Sequence, residues 1–398
     1  MSCRAYIPTF AADYGDAERQ AAAHHHLHDQ FMTAHKHVNE FEKQFKERVG
    51  RKHAVMVNSG SSAVLVATAA MEWKRGTKVI TPAVTFATTV APLLQMGMEP
   101  VFVDVEEGTY NIDPQKMVDT MNRERANACI IPHTLGNPVD PNVWGFFRDS
   151  IEDACDALDS SVDRENCGAF GNFACFSFFA AHHITTGQGG MVLANDDRLG
   201  RTMYKFASWG RDCWCRAGQD NLCTNRFDYE IDGVEYDHKY IFSVPGYNVA
   251  PLDVCGVIGK VQLAKADGYK KIRQRNFAVL DAAFADLDGL IVRPKSLPGA
   301  DVNWFGYPIT LKRGSRKAIT QRIEARGVAT RLMFGGNVTR QPMFKGYSIN
   351  APLGLEQSDR VMQHAFVVPL NHTLSEAEIY KVADVVYDEV LRETAVRV

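Results

Sequence analysis

The sequence predicts an α/β fold: a three-layer sandwich with a mainly parallel central sheet, followed by a smaller C-terminal α/β domain. In the first half, short apolar runs alternate with helical stretches, which is typical of a parallel sheet covered by helices on both faces. After Pro251 the pattern changes to one long helix, from Leu252 to about Leu287, whose charges are expected on one face, and then to shorter strands. The 398 residues suffice for two domains, which we place at 1–255, including an N-terminal arm and a cysteine-rich loop, and at 256–398.

The predicted elements follow one another in chain order. Strands are predicted in HAVMVNS, TKVITPAV, PVFVDV, NACIIPHT, FACFSFFA and GMVLAND, because each contains a short apolar run, and the short segment 150–153 is predicted as a further strand. The helix at 61–71 is rich in alanine, the strongest helix former, and further helices are predicted at 88–96 and 142–148. In the C-terminal part we expect strands in NWFGYPITLK and GVATRLMF and a last helix at 375–391.

Composition and charge exclude several classes of protein. Hydrophobic residues make up 45% of the chain and charged residues 23%, as in a globular protein with a substantial core. The net charge is −3 with acids and bases mixed, which indicates neither a nucleic-acid-binding surface nor a polybasic membrane segment. The N-terminal segment lacks the pattern of a signal peptide, and no apolar run approaches the ~20 residues that span a bilayer. We therefore expect a cytoplasmic location.

The nine cysteines do not indicate a disulfide framework, because their number is odd and the chain has a cytosolic composition. Isolated cysteines such as Cys129 and Cys175 lie in apolar or small-residue contexts and are interpreted as core residues. Cys213, Cys215 and Cys223 instead crowd into the polar stretch RDCWCRAGQDNLC. Three thiols so close together in one loop favour metal or cluster ligation over packing.

Three segments carry candidate functional residues, each after a predicted strand. NSGSSA, at 58–63, begins a helix and predicts an anion site, with a simple helix cap as the alternative. Asp153 ends a short apolar strand, where its carboxylate faces a cofactor unless it is an ordinary turn aspartate. SFFAAHHITTGQGG, at 177–190, places two histidines beside a Gly-rich turn, which indicates a catalytic turn unless the pair is a solvated loop feature.

Taken together in this order, the three segments resemble the sugar aminotransferase (DegT/DnrJ/EryC/StrS) family of fold-type I, aspartate aminotransferase-like pyridoxal-phosphate enzymes. That family has its Schiff-base lysine in a segment S-F-x-x-x-K, and counting five positions from Ser177 leads to His182. The histidine narrows the resemblance to the sugar-nucleotide 3-dehydratases. The similarity continues through VITPAVTFATTV, WGRDCWC and TRLMFGGNVTRQP, over roughly residues 29–345.

The resemblance implies a role for each matching residue around the cofactor. Ser61, Ser62 and Ser177 match the positions that bind the cofactor phosphate. Phe86 matches the aromatic residue that stacks on the pyridine ring. Asp153 matches the carboxylate that pairs with the pyridine nitrogen and keeps the ring electron-withdrawing.

The resemblance also implies contacts beyond the cofactor itself. Asn248 matches an asparagine that reaches the phosphate of the partner subunit, which implies a homodimer. Arg340 is a candidate contact for the nucleotide diphosphate, with a plain surface role as the alternative. His183 is the second candidate for the position of His182, in case the alignment is shifted by one residue.

A histidine in place of the lysine changes the expected chemistry. Imidazole cannot form an imine with pyridoxal phosphate, so the cofactor is expected in its amine form, pyridoxamine 5′-phosphate (PMP). The amine condenses with a keto group of the substrate, and a base removes a proton from the cofactor methylene carbon so that the neighbouring C3 hydroxyl leaves. Histidine titrates near neutrality and suits this transfer, which contributes roughly 10²–10⁴-fold. His182 is therefore the predicted base.

Four cysteines distinguish two kinds of 3-dehydratase. The kind that also carries a [2Fe–2S] cluster has cysteines with 57, 1 and 7 residues between them, and Cys155, Cys213, Cys215 and Cys223 have these gaps. Cys155 follows Asp153 by two residues, about 6.6 Å along an extended chain, which predicts a cluster next to the cofactor. A structural zinc held by the same thiolates is the alternative.

The resemblance thus implies C3 deoxygenation of a nucleotide-linked 4-keto-6-deoxyhexose, first of all CDP-4-keto-6-deoxyglucose, toward the 3,6-dideoxyhexoses of lipopolysaccharide O-antigens. A flavin/iron–sulfur, NAD(P)H-dependent reductase is the implied electron donor. The alternatives are a cluster-free enzyme similar to GDP-4-keto-6-deoxymannose 3-dehydratase, and a non-catalytic binding or regulatory relative. Departures from the family pattern at 33–39 and Gln188, near the expected substrate entrance, leave the sugar and the nucleotide open.

Overall fold

The computed structural model describes residues 6–395 apart from 217, 218, 223 and 225. The α-helices of this part are α1 (Asp16–His28), α2 (Lys36–Val49), α3 (Gly60–Ala70), α4 (Ala87–Met96), α5 (Pro114–Glu124), α6 (Asp197–Ala207), α7 (Asp253–Ala283), α8 (Arg316–Ala325), α9 (Glu356–His364) and α10 (Glu376–Ala395). The strands are β1 (His53–Val57), β2 (Lys78–Pro82), β3 (Glu99–Val103), β4 (Ala128–Pro132), β5 (Asp149–Asp153), β6 (Ser161–Val162), β7 (Glu165–Asn166), β8 (Phe173–Ser177), β9 (Gly190–Ala194), β10 (Tyr229–Ile231), β11 (Val234–Tyr236), β12 (Ile291–Val292), β13 (Ala300–Asp301), β14 (Tyr307–Leu311), β15 (Arg331–Leu332) and β16 (Ala365–Val368).

A seven-stranded sheet of order β1-β9-β8-β5-β4-β2-β3 forms the centre of the molecule. The pairs β2/β3, β2/β4, β4/β5 and β5/β8 are parallel, whereas β9 runs antiparallel to both of its neighbours, β1 and β8. Both faces of the sheet are covered: Val55 and Val57 of β1 pack in one core with α3, and Ala54 and Met56 pack in another with α2. This arrangement confirms the predicted α/β class with a mainly parallel sheet.

A second, four-stranded antiparallel sheet of order β12-β14-β16-β15 follows in the chain. Its buried strands β14 and β16 share a core with α8 and α10. The long helix α7 packs against α1, α2 and α10 and so connects the two parts of the molecule. The predicted boundary between residues 255 and 256 falls inside α7, and the two-domain division stays a prediction.

Most predicted elements are present with small shifts at their ends, but three expectations were wrong in detail. The predicted helix at 142–148 is a short 3-10 helix, Pro141–Phe146. The strand predicted in GVATRLMF is reduced to the two residues of β15, which pair with β16 at the sheet edge. The charges of α7 were expected on one face, yet Arg273 is fully buried and donates to the carbonyls of Trp304 and Phe305 at 3.2 and 3.1 Å.

Between α6 and α7 lies a stretch that we call the cysteine segment, residues 209–247. It contains the hairpin of β10 and β11 and carries Cys213 and Cys215. Isolated bridges from Ser208 to Asn248 and from Arg211 to Phe242 close its base. None of the helices in the described part of the chain is long and apolar enough to cross a membrane.

Candidate active site

A cavity of about 360 Å³ lies at the carboxyl ends of β4, β5 and β8. Parallel strands bring their carboxyl ends to one edge of a sheet, where ligands of such folds usually bind. Six residues singled out in the sequence line this cavity together: Ser61, Phe86, Asp153, Cys155, Ser177 and His182. We call it the cofactor cavity.

One end of the cofactor cavity is formed by the beginning of α3. The side chain of Ser59 caps this helix by accepting from the amide of Ser62 at 3.1 Å. Ser61 lines the cavity and donates to Oγ1 of Thr88 at 2.9 Å, whereas the hydroxyl of Ser62 donates to Asn58 at 2.6 Å. Free amides at the start of a helix, with a hydroxyl beside them, suit a phosphate group.

Gly60 allows the close approach of α3 to β8 at this point. A Cβ added to Gly60 would lie 2.6 Å from Cβ of Ser177 and 3.1 Å from Sγ of Cys155. Because real Cβ atoms do not approach other atoms so closely, a larger residue would separate the helix start from the serine. The absence of a side chain at Gly60 therefore keeps the hydroxyls of Ser61 and Ser177 on one cavity wall.

Asp153 provides a buried carboxylate in the same cavity, with only 8% of the residue exposed. Its Oδ2 accepts from Oγ1 of Thr89 at 2.8 Å, and its Oδ1 accepts from the amide of Cys155 at 3.2 Å. Burial raises the pKa of Asp153, because both of these donors are neutral and compensate the charge only in part. A cationic ring nitrogen is the kind of partner that stabilises this carboxylate, so the site fits a protonated pyridine.

His182 lines the cofactor cavity beside an acid that the sequence reasoning missed. Its Nδ1 lies 3.3 Å from Oδ1 of Asp156, and the two side chains are 15% and 11% exposed. The contact is within ion-pair distance but lacks the alignment of a hydrogen bond, and contacts of this kind commonly tighten when substrate binds. A carboxylate beside Nδ1 favours the proton on that nitrogen, which leaves Nε2 as the basic atom.

Asp156 also interacts with the buried Arg273. Burial lowers the pKa of Arg273 to about 9, and the charge of Asp156 partly opposes this effect. Asp156 thus lies in the field of a cation while contacting His182. The only sequence signal for it was an acid three positions after Asp153, beyond the strand end.

The adjacent histidine occupies a different environment. His183 is 2% exposed and its Nε2 lies 2.8 Å from the carbonyl oxygen of Asn303, outside the cofactor cavity. Burial lowers the pKa of His183 well below its usual value, so the ring is neutral and donates to that carbonyl. The geometry therefore favours His182 over His183 as the base.

Arg340, the predicted nucleotide contact, is not among the residues that line the cofactor cavity. Arg340 donates to both carboxylate oxygens of Asp359, at 2.9 and 2.7 Å, and this ion pair raises its pKa. Another arginine, Arg331, lines the cofactor cavity instead and was not singled out in the sequence. The role of Arg340 toward the substrate stays a prediction.

A buried pair beneath the cavity was also missed. Nδ1 of His133 accepts from the amide of Val139 at 3.0 Å, so its Nε2 carries the proton and faces Oε1 of Glu152 at 2.8 Å. Glu152 also accepts from the amides of Phe170 and Gly171. Burial acts to raise the pKa of Glu152, but His133 and these donors hold it below its usual value. The pair fixes the His133 ring at the cavity wall.

The cysteines predicted as cluster ligands are divided between two cavities. Cys155 lines the cofactor cavity, whereas Cys213 and Cys215 line a second cavity of about 460 Å³ together with Asn248. Cys223 lies outside the described residues. In the ranges that the structure covers, no three His, Cys, Asp or Glu side chains are grouped as metal ligands.

The two sets of thiols face different cavities although both lie near β1 or the residues that follow it. The side chain of Arg216 donates to the carbonyl of Ala54 at 3.0 Å and so attaches the cysteine segment to β1, the edge strand. Cys155 also lies near the end of β1, because its Sγ is 3.1 Å from the position of a Cβ added to Gly60, the first residue of α3. The described thiols therefore do not meet, and the described residues do not form a site for the expected [2Fe–2S] cluster or for zinc.

A family model described as the DegT/DnrJ/EryC1/StrS aminotransferase family matches residues 13–387. The chain belongs to this family. His182 lines the cofactor cavity, and its equivalence to the family lysine stays a prediction from the sequence.

Individual relatives carry related names. The chain is 38% identical over 355 residues to dTDP-4-dehydro-2,6-dideoxy-D-glucose 3-dehydratase of Saccharopolyspora spinosa, covering 85% of this chain and 76% of that protein. It is 36% identical over 356 residues to lipopolysaccharide biosynthesis protein RfbH of Salmonella typhimurium, covering 85% and 81%. Among solved structures, GDP-4-keto-6-deoxy-D-mannose 3-dehydratase of E coli with bound hydrated PLP is similar with a TM-score of 0.85 and 25% identity, covering 97% and 100%.

Proposed function

We propose that this protein is a PMP-dependent sugar-nucleotide 3-dehydratase. The observation that carries the proposal is a histidine, His182, in a cavity that also presents a buried carboxylate and the start of a helix. The names of the relatives support the same class, because two of them are 3-dehydratases of nucleotide-linked keto sugars.

In this proposal the cofactor would occupy the cofactor cavity. Asp153 binds the ring nitrogen, Phe86 stacks on the ring, and Ser61 and Ser177 hold the phosphate with the amides of α3. When bound, PMP supplies an amine for the keto carbon of the substrate and an electron-withdrawing ring. Burial raises the pKa of Asp153, and a ring proton opposite it offsets that effect.

His182 acts as the base of the elimination. Nε2 would take up the proton that is released in the elimination, and Asp156 at Nδ1 would stabilise the resulting imidazolium. The same imidazolium donates its proton to the departing C3 hydroxyl, which leaves as water. Phe305, whose ring centre is 5.1 Å from that of His182, limits the movement of the imidazole.

The substrate in this proposal is a nucleotide-linked 4-keto-6-deoxyhexose that enters over Arg331 and the exposed side chains of Phe179 and Leu332. Arg331 pairs with the diphosphate, since a guanidinium matches phosphate oxygens. CDP-4-keto-6-deoxyglucose is our first candidate, and the dTDP-linked sugar of the 38%-identical relative is the next one to test. A homodimer and a reductase that supplies electrons belong to the same proposal.

The experiment is a substrate panel in deuterated buffer. PMP-loaded protein is incubated with CDP-, dTDP- and GDP-linked 4-keto-6-deoxyhexoses, and mass spectrometry follows deuterium in the cofactor methylene and loss of oxygen from the sugar. We expect exchange with at least one sugar nucleotide and its loss in His182→Asn. Lack of exchange with every member of the panel would support the non-catalytic relative and contradict the proposal.

A second candidate is the cluster-free enzyme that acts on GDP-4-keto-6-deoxymannose. It is favoured by the separation of Cys155 from Cys213 and Cys215 in one chain, and by the similarity in fold to the solved GDP-4-keto-6-deoxy-D-mannose 3-dehydratase. Anaerobically purified protein that is colourless and free of iron, yet active on the GDP-linked sugar, would select this candidate.

A further inference from the structure

Residues 6–15 form the described part of the N-terminal arm and are fixed to the body of the molecule at both ends. Near the start of the arm Ile7 is fully buried, and its amide donates to the carbonyl of Gly327 at 2.8 Å. Near its end the carboxylate of Asp13 accepts from the hydroxyl of Tyr269, on α7, at 2.6 Å. The residues between these two contacts are therefore held in a defined place.

One residue of this arm, Phe10, reaches the cofactor cavity. It is partly buried in the cavity lining, and its ring stacks on that of Phe305 with ring centres 4.5 Å apart. The side chain of Asn371 donates to the carbonyls of Pro8 and Thr9, both at 3.1 Å, and so fixes the backbone that directly precedes Phe10. The arm thus supplies part of the cavity wall, although Phe10 was not among the candidate residues of the sequence.

Phe10 belongs to an apolar wall beside His182. The other members of this wall are buried side chains that line the same cavity and share one hydrophobic core, namely Leu135, Phe305 and Val367. They converge at Gly306, where an added Cβ would collide with Val367 and would lie 3.7 Å from Cε1 of Phe10. The ring centre of Phe305 is 5.1 Å from that of His182, so the apolar wall borders the space next to the proposed base.

The proposed substrate has one ring substituent that suits such a wall. In a 4-keto-6-deoxyhexose C6 is a methyl group on C5, whereas the remaining substituents are polar. C3 and C5 are the two neighbours of C4, so a sugar whose C3 hydroxyl reaches His182 brings its C6 methyl near the same part of the cavity. Phe179 and Leu332 also line the cavity, but they are about half exposed, so a group on them stays in contact with water. Burial against the apolar wall favours a methyl group most strongly.

We propose that Phe10 is a specificity-determining residue, which binds the C6 methyl group of the sugar together with the rest of the apolar wall. This inference rests on the proposed function, because it concerns the sugar that reacts at His182. A hydroxymethyl group in the same place would bury a hydroxyl beside side chains that carry no polar atom. A pentose, which has no C6, would leave the space next to Phe10 unfilled. The wall thus selects 6-deoxy sugars over both.

The test compares three sugars that differ only at C6, in each nucleotide series of the substrate panel. They are the 6-deoxyhexose, the hexose with a 6-hydroxyl and the pentose without C6, all of the same ring configuration. Their 4-hydroxy forms do not condense with an amine, so isothermal titration calorimetry with PMP-loaded protein measures binding alone. Their 4-keto forms give the kcat/KM of deuterium exchange at the cofactor methylene.

We expect the wild-type protein to favour the 6-deoxyhexose over the other two sugars by about 10- to 200-fold, the usual effect of one small group in an apolar pocket. Phe10→Ala should reduce this preference several-fold through weaker binding of the 6-deoxyhexose, while the affinity for the pentose stays unchanged. Phe10→Leu keeps an apolar side chain and should give an intermediate preference. Tyr6→Ala, in the same arm but exposed and outside the cavity lining, is the matched control and should keep the wild-type preference.

Equal binding and equal exchange of the three sugars by the wild-type protein would overturn the role of the apolar wall. An unchanged preference in the folded Phe10 variants would overturn the role of Phe10. Circular dichroism establishes that each variant is folded, and Phe10→Leu carries the test alone if Phe10→Ala does not fold.

The proposed function fails in a different way. Wild-type protein that exchanges the cofactor methylene proton with all three sugars equally well overturns the apolar wall and leaves the dehydratase intact. Wild-type protein that binds the 6-deoxyhexose in preference to the other sugars, but shows no exchange with any 4-keto sugar, overturns the dehydratase and supports the wall.

Discussion

Nδ1 of His182 lies 3.3 Å from Oδ1 of Asp156, inside the cavity that also holds Asp153. The two acids differ in their neighbours: Asp153 accepts from neutral donors, whereas Asp156 contacts an imidazole and lies in the field of the buried Arg273. Asp153 is therefore suited to bind a cationic ring, and Asp156 is suited to a histidine that changes its protonation state. Residues 153–156 thus supply both a carboxylate that can bind the cofactor and the acidic partner of His182.

Replacing His182 by asparagine should abolish the proton transfer while preserving the cavity. We expect exchange at the cofactor methylene to fall by about 10²–10⁴-fold, the usual contribution of a positioned base. Binding of PMP should be unchanged, because the residues proposed to hold the cofactor are elsewhere in the cavity. Deuterium incorporation measures the first effect and the PMP absorbance spectrum the second. Full exchange in His182→Asn would rule out the assigned role.

Asp156→Asn should lower kcat by about 10-fold or more, since the amide has nearly the same shape but cannot stabilise an imidazolium. The KM for the sugar nucleotide should change little, because the side chain contacts His182. Steady-state kinetics separates the two parameters. A variant with raised KM and unchanged kcat would mean that Asp156 binds substrate and does not position the histidine.

Arg331 and Arg340 provide a matched pair of substitutions for the nucleotide contact. Arg331 lines the cofactor cavity, so Arg331→Ala should raise the KM of the sugar nucleotide by about 10-fold or more through loss of a charge-assisted contact. Arg340 is ion-paired with Asp359 on the surface, so Arg340→Ala should leave KM unchanged and cost at most about 1 kcal/mol of stability. If Arg340→Ala raised KM and Arg331→Ala did not, Arg340 would be the nucleotide contact, as the sequence predicted.

The stability of the protein should fall as the pH is lowered below the ordinary titration of histidine. Burial lowers the pKa of His372 to about 3, and that of His183 also lies well below its usual value. The unfolded chain then binds protons that the folded chain does not, so stability is fully present above about pH 6.5 and each histidine removes about 1.4 kcal/mol per pH unit below it.

Urea unfolding followed by circular dichroism at pH 7.5 and 5.5 measures this loss. His372 stacks on Tyr269 with ring centres 3.9 Å apart, so His372→Phe keeps the aromatic contact and removes the titrating group. The variant should show a smaller difference between the two pH values than the parent protein. An equal difference in both would show that His372 does not contribute.

The alternation of apolar runs and helical stretches determined the class of fold, because each strand of a parallel sheet is followed by a helix that covers it. It also placed Ser61, Asp153 and Ser177 after strands whose carboxyl ends meet, so their convergence in one cavity follows from local sequence. The identity of His182 as a histidine, and the spacing of the four cysteines, are likewise properties of the sequence alone.

Tertiary packing decided which of two neighbouring or similar residues faces the cavity. His182 and His183 are adjacent in sequence, and a hydrogen bond to Asn303 draws only the second away. Arg331 enters the cavity because β15 pairs with β16 beside it, whereas Asp359 holds Arg340 outside. Side-chain direction in turns depends on contacts that are distant in the chain, so sequence patterns do not specify it. Spacing along the chain likewise does not specify which cavity a thiol faces, so Cys155 lines one cavity and Cys213 and Cys215 line another.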